Sequence, residues 1–110
     1  MMENERLNIE EAFLACLLLK PELSEKIIID EAYFFDSKNK KAMQIFKKQY
    51  EEFKIVSIAG IEDNYKSFFQ NQKELEEFIN YLSILMCVDC LPSQFNYYQE
   101  TLIKRYSNRK

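Results

Sequence analysis

The longest apolar run in the chain lies at residues 9–23, IEEAFLACLLLKPEL. Ile9, Ala12, Phe13, Cys16 and Leu17 recur at the i, i+3, i+4, i+7, i+8 spacing of one helical face, while Leu14, Leu18 and Leu19 load the opposite side. A helix apolar nearly all round has to be covered on several sides, so this segment is expected to be the central helix around which the others gather. Pro21 stops it. At roughly 11 residues and 1.5 Å per residue it is too short to cross a bilayer.

Beyond Pro21 the pattern predicts a short helix over residues 22–29 with Leu23, Ile27 and Ile28 turned inward, followed by an aromatic plug of Tyr33, Phe34 and Phe35. Asp36 or Ser37 can cap a long helix over 38–53, whose Ala42, Met43, Phe46, Tyr50 and Phe53 trace one stripe and leave Lys38, Lys40, Lys41, Lys47 and Lys48 mostly off it. The β-branched Ile55 and Val56 interrupt the period. Ser57 then caps a helix carrying Ile58, Ile61, Tyr65, Phe68 and Phe69. Gly60 is out of place there, since a mid-helix glycine costs about 1 kcal/mol relative to alanine.

A polar loop at 70–73 precedes the clearest amphipathic signal, Leu75, Phe78, Ile79, Leu82, Leu85 and Met86 on one face. Leu91-Pro92-Ser93 ends that helix and starts the last one, which carries Phe95, Tyr98, Leu102 and Tyr106 with Tyr97 and Ile103 beside them. Residues 1–8 are polar and are expected to form a flexible tail ending on the cap residue Asn8, with a single helical domain over 9–110.

Composition narrows the class. One glycine and two prolines in 110 residues leave little turn chemistry for a β protein, so the chain is expected to be all-α, a compact bundle of about six helices. The net charge of −3 offers no broad basic face, and direct tight DNA binding is not expected. Three cysteines without a charged-then-apolar leader point to a reducing compartment, read as the cytoplasm, and no membrane association is expected. The chain has no histidine, no phosphate-binding glycine loop and no Walker motif, which removes His-based nucleophilic triads, His-containing zinc sites and P-loop chemistry. No catalytic residue, metal site or cofactor site is expected in it.

The remaining candidates for chemistry have plain readings. Cys87-Val88-Asp89-Cys90 has CxxC spacing, yet only Cys16 remains as a further sulfur ligand and the motif ends a helix instead of opening one, so the three are read as ordinary thiols. Glu10-Glu11, Glu51-Glu52 and Glu76-Glu77 are adjacent pairs, which point about 100° apart on a helix and so are read as solvated faces. The lysines between Lys38 and Lys48 could touch phosphates, yet with Glu51, Glu52 and Glu62 nearby they are read as a mixed solvent face, and Lys104, Arg105, Arg109 and Lys110 make a small basic end of a kind that favours a helix C-terminus. Seven tyrosines and nine phenylalanines are more than one small core comfortably hides. Phe95, Tyr98, Leu102 and Tyr106 on the last helix are therefore the candidates for partner binding, with internal packing as the alternative.

The order of these features resembles the N-terminal domain of DnaB-type replicative helicases. Residues 12–23, AFLACLLLKPEL, follow that family's alanine, apolar, leucine, two small residues, three leucines, any residue, Pro-Glu-Leu. Phe34-Phe35-Asp36 leads without a gap into a helix in which Met43, Phe46, Tyr50, Glu51 and Glu52 fall in register, and Val56-Ser57-Ile58 takes the place of an apolar, aspartate, apolar step. The chain departs from the pattern at Ala15, where the family often has glycine, at Phe53 and Ile55, which replace a turn glycine and proline, and at residues 74–77, where a double glycine is missing. These departures fit a divergent member, such as one carried by a phage or mobile element.

The resemblance implies an orthogonal helical bundle acting as a collar module. In the family this domain pairs through helical contacts, helps arrange a hexameric ring, and engages primase and loader proteins. The final helix is similar to the start of the family's helical hairpin, and ATP and Mg would belong to a motor domain beyond it, whose parent protein would be an ATP-dependent DNA helicase. Two other readings stand beside this one. The chain could be a stand-alone protein that mimics the collar and regulates a host helicase, primase or loader. It could instead be a small DNA-binding adaptor using the lysines of residues 38–48 or the basic end.

Overall fold

The computed structural model describes residues 8–109, so the tail expected at residues 1–8 lies outside the described residues save for Asn8, as does Lys110 of the basic end. Five α-helices form among the described residues, with no strand: α1 (Ile9–Leu19), α2 (Ser37–Phe53), α3 (Ile58–Asn64), α4 (Gln72–Leu85) and α5 (Phe95–Arg109). Four 3₁₀ segments lie between them, of which Pro21–Lys26, six residues long, acts as the sixth helix of the bundle. The all-α bundle expected from composition and period is the fold observed.

Local chemistry sets the helix starts. Asn8 accepts from the Glu11 N–H at 3.1 Å, Asp36 from Lys38 at 2.8 Å, Ser57 from Gly60 at 3.4 Å and Asn71 from Glu74 at 2.8 Å, each relieving one of the unpaired donors of a first turn. The Glu74 carboxylate also reaches back to the Gln70 N–H at 3.0 Å. At the other end of α2, Lys54 takes φ 60°, ψ 31°, a left-handed conformation that costs a non-glycine residue about 1–2 kcal/mol. It lies between Phe53 and Ile55, the two positions that depart from the family's turn.

α1 is the centre of the molecule. From Ile9 to Leu17 every residue except Glu11 is buried, and α2, α4, α5 and the Pro21–Lys26 segment pack around it. Phe13 carries much of that packing, with the Phe34 ring edge-on at 5.8 Å and the Phe95 ring stacked at 4.6 Å. Coverage stops at the last turn, where Leu19 is half exposed. The Cα radius of gyration is 13.7 Å, near the roughly 13 Å of a compact domain of this length.

The structure corrects the sequence reading in the connectors. The helix expected over 22–29 stops as a 3₁₀ segment at Lys26, Ile27 is extended and residues 27–30 lie outside any helix, so that Ile29 is buried while Ile28, expected inside, is 74% exposed. Gln99 on α5 draws this segment out: its Oε1 accepts from the Ile28 N–H at 2.8 Å and its Nε2 donates to the Lys26 carbonyl at 3.2 Å. The aromatic plug divides for a similar reason. Phe34 is buried, Tyr33 is half-buried, and Phe35 points to solvent, because neighbouring side chains of extended backbone face opposite ways. Phe53 and Met86, at or just past the ends of their helices, are likewise exposed instead of continuing their stripes.

The helix expected through Phe69 ends at Asn64 and resumes as the 3₁₀ segment Lys66–Phe68, with Ile61, Tyr65 and Phe69 all buried. Gly60 has a reason. A Cβ there would stand 2.5 Å from Nε2 of Gln49, which is fully buried and spans the α2–α3 turn by accepting from the Ser57 N–H at 3.0 Å and donating to the Ser57 carbonyl at 3.1 Å. Glycine's poor helix propensity is the cost of leaving room for that bridge.

Candidate functional site

Pro92 opens the approach to α5, and its missing N–H does no harm in a first turn where no intrahelical acceptor exists. The preceding Leu91 is extended and offers no side-chain cap, so packing orients this helix. Phe95, Tyr98 and Leu102 repeat at helical spacing and are at most 2% exposed, enclosed by the chain's own core. Phe95 stacks on Phe13, and the Tyr98 oxygen accepts the Leu91 N–H at 3.1 Å. Tyr106, one turn further, is half-buried with its ring 4.3 Å from that of Tyr33.

The four candidate partner residues thus lie on one stripe, and the stripe faces inward. Three of them present no side-chain surface to a partner in this arrangement. The surface of α5 is made instead by Asn96, Tyr97, Glu100, Lys104 and Arg105, with Tyr97 60% exposed. Two apolar side chains that the sequence placed inside flank the helix. Ile28 is tied beside it through Gln99, and Phe35 lies 5.8 Å beneath the guanidinium of Arg109, which also donates to the Tyr33 carbonyl at 3.4 Å. Gln99 is the residue that joins these parts. Its signal in the sequence was only that of a polar residue one position past Tyr98, on the inward side of the stripe.

A second polar joint seats α2 on α1. Glu10, read as solvated with Glu11, is buried. Its Oε2 accepts from the Phe35 N–H at 2.6 Å, and its Oε1 accepts from the Asp36 N–H at 3.4 Å and the Asn39 amide at 2.8 Å. Asn39 in turn accepts from the Tyr81 hydroxyl on α4. Burial, with the nearby Glu11, Asp36 and Glu10 carboxylates, pushes the Tyr81 hydroxyl well above its ordinary range and keeps it a donor. A carboxylate in a helix otherwise apolar all round was the available clue, since such a group is buried only where donors meet it.

The other acidic pairs, Glu51-Glu52 and Glu76-Glu77, are exposed, as read from the sequence. Glu52 accepts from the Tyr65 hydroxyl at 2.6 Å, which holds its carboxyl below the usual range. Three of the lysines of α2 are engaged locally. Lys41 donates to the Phe68 carbonyl at 2.9 Å and stands 4.7 Å over the Phe69 ring, Lys38 lies 4.9 Å over Tyr81, and Lys48 pairs with Glu52 at 3.4 Å. Among the described residues no three His, Cys, Asp or Glu side chains gather as a metal would require, and no helix is long and apolar enough to cross a membrane. The arrangement is suited to contact, with a rigid helix held by a stack and two clamps.

Comparison with known proteins matches residues 2–104 to the family described as the DnaB-like helicase N terminal domain. No curated protein and no solved structure matches the chain.

Proposed function

The chain belongs to the DnaB-like helicase N-terminal domain family, and on that premise we propose that it is a collar module that works by assembly. It is non-catalytic, pairs with copies of itself, and receives primase or a helicase loader during DNA replication. ATP and Mg act in a motor domain and not on these residues. The observation that carries the reading is the extent of the family match, which takes in α1 to α4 whole and most of α5.

The geometry supports a contact role. α5 is fixed in orientation by the Phe13–Phe95 stack, by Gln99 and by Tyr33, so its outer face meets a partner without first being ordered, which lowers the entropic cost of association. Tyr97, Ile28 and Phe35 are the exposed apolar side chains on and beside that face, and aromatic groups in such settings carry a large share of interface energy. We assign the partner contact to them. Phe95, Tyr98, Leu102 and Tyr106 serve it from beneath by holding the helix in place.

Binding of the chain to itself, to primase and to the loader of the source cell tests this directly. Ile28→Asp, Phe35→Asp and Tyr97→Asp should each weaken binding about tenfold or more with the melting curve preserved. Tyr98→Ala and Leu102→Ala should lower the melting midpoint instead. Failure of the unmodified chain to bind any of the three proteins removes the reading.

A further inference from the structure

The 3₁₀ segment Pro21–Lys26 and the residue before it sort their charges. Lys20, Leu23 and Lys26 recur every third residue, the spacing that a 3₁₀ turn stacks on one side. Glu22 and Glu25 fall at another step of the same period, and Glu25 is drawn toward α2 by the Tyr50 hydroxyl, which donates to it at 2.8 Å. The lysine side faces the start of α5 across a cleft of about 250 Å³. Leu23 and Phe95, both buried, give it an apolar floor, and Ser93 and Asn96 line it from the α5 side.

No carboxylate lines this cleft. Two other clefts with paired lysines each carry two, Glu74 and Glu77 beside Lys38 and Lys41, and Glu31 and Glu51 beside Lys47 and Lys48. Among the described residues the Lys20 and Lys26 ammonium groups, the Ser93 hydroxyl and the Asn96 side-chain amide have no hydrogen-bond or ion-pair partner. Positive charge and neutral donors thus converge where nothing in the chain answers them.

We propose that this cleft binds a diphosphate, either as free pyrophosphate or as the diphosphate of a nucleotide. Its volume lies just below the roughly 300–1,000 Å³ of sites that enclose a drug-sized ligand, which suits a small anion and leaves a nucleoside outside. Lys20 and Lys26 are separated by a rise of roughly 12 Å, at about 2.0 Å per residue of a 3₁₀ segment, so an anion charged at both ends meets both ammonium groups where a single phosphate meets one. Each lysine acts as a point charge on one phosphate, and Ser93 and Asn96 donate to the oxygens between. The bound anion joins the Pro21–Lys26 segment to the start of α5, beside the Gln99 amide that already links the Lys26 carbonyl to that helix.

Titration of the folded full chain with pyrophosphate at constant ionic strength, read by calorimetry and by backbone amide shifts, tests the site. The expected result is saturable one-to-one binding, with shifts concentrated at Lys20, Lys26, Ser93 and Asn96. Lys20→Gln and Lys26→Gln should each weaken binding about tenfold or more, because a charge-assisted contact is lost. Lys73→Gln, at an exposed position of α4 outside the cleft, should leave it unchanged. All three side chains are exposed, so the melting curves should be preserved. ADP separates the two sources: an affinity within about tenfold of that of pyrophosphate assigns the site to the nucleotide diphosphate as well, and a weaker one assigns it to the free anion. A titration that does not saturate, equal weakening by Lys73→Gln, orthophosphate binding as tightly as pyrophosphate, or shifts confined to residues outside the cleft overturns the proposal.

Discussion

The start of α2 and the start of α5 both rest on α1, and they are held by opposite means. At α2 the buried Glu10 carboxylate collects the N–H groups of Phe35 and Asp36 and the Asn39 amide, while Asp36 caps the helix from outside. α5 is entered through the 3₁₀ turn Pro92–Gln94, whose cap position is Leu91, Pro92 removes one of the donors that would need a partner, and the hold comes from Phe95 lying on Phe13. A carboxylate facing three donors defines one seat, because any shift leaves a buried charge or N–H group unpaired. A ring stack supplies more buried area and tolerates more sliding. The central helix carries its buried carboxylate where the backbone N–H groups leading into α2 meet it, and is apolar where an aromatic does the work.

Removing the stack is expected to cost most. Phe95→Ala should destabilise the chain by about 3–5 kcal/mol, the range for truncating a buried aromatic, read from urea unfolding. Glu10→Ala comes next, at about 2–3 kcal/mol, since three donors lose one shared acceptor; a cost near zero would mean that water replaces the carboxylate and that the joint does not specify the seat. The smallest effect has the opposite sign. Leu91 is half exposed and extended, so Leu91→Asp gives the 3₁₀ turn leading into α5 the kind of cap that α2 already has and should raise stability by about 0.5–1 kcal/mol. Loss of stability there would show that the apolar approach to α5 is itself held by contacts of the Leu91 side chain.

Much of the local architecture was legible. Pro21 ends the central helix, Ser57 caps α3, and the stripe from Leu75 to Leu85 lies inside as its spacing requires. The family motifs were legible as well, because they combine a helix, a proline and an aromatic pair in fixed order. The connectors were not. Period 3.6 assigned Ile28 and Met86 to the core, and the aromatic run assigned Phe35, yet all three face solvent, Ile28 and Phe35 outside any helix and Met86 at the end of one.

The sequence by itself determined which segments are helical, where most of them begin, and which family they compose, since caps, prolines and apolar spacing act within a few residues of one another. Only the tertiary structure decided which side chains meet across the chain. Gln99 with Ile28 and Glu10 with Phe35 are pairings between segments whose separation leaves no periodic trace. The aromatic stripe of α5 shows the same division: its helical spacing is local, whereas its burial depends on Phe13 and Tyr33 having been brought beneath it. Apolar periodicity says that a face will be covered, and the packing of the remaining helices decides whether this chain or a partner covers it.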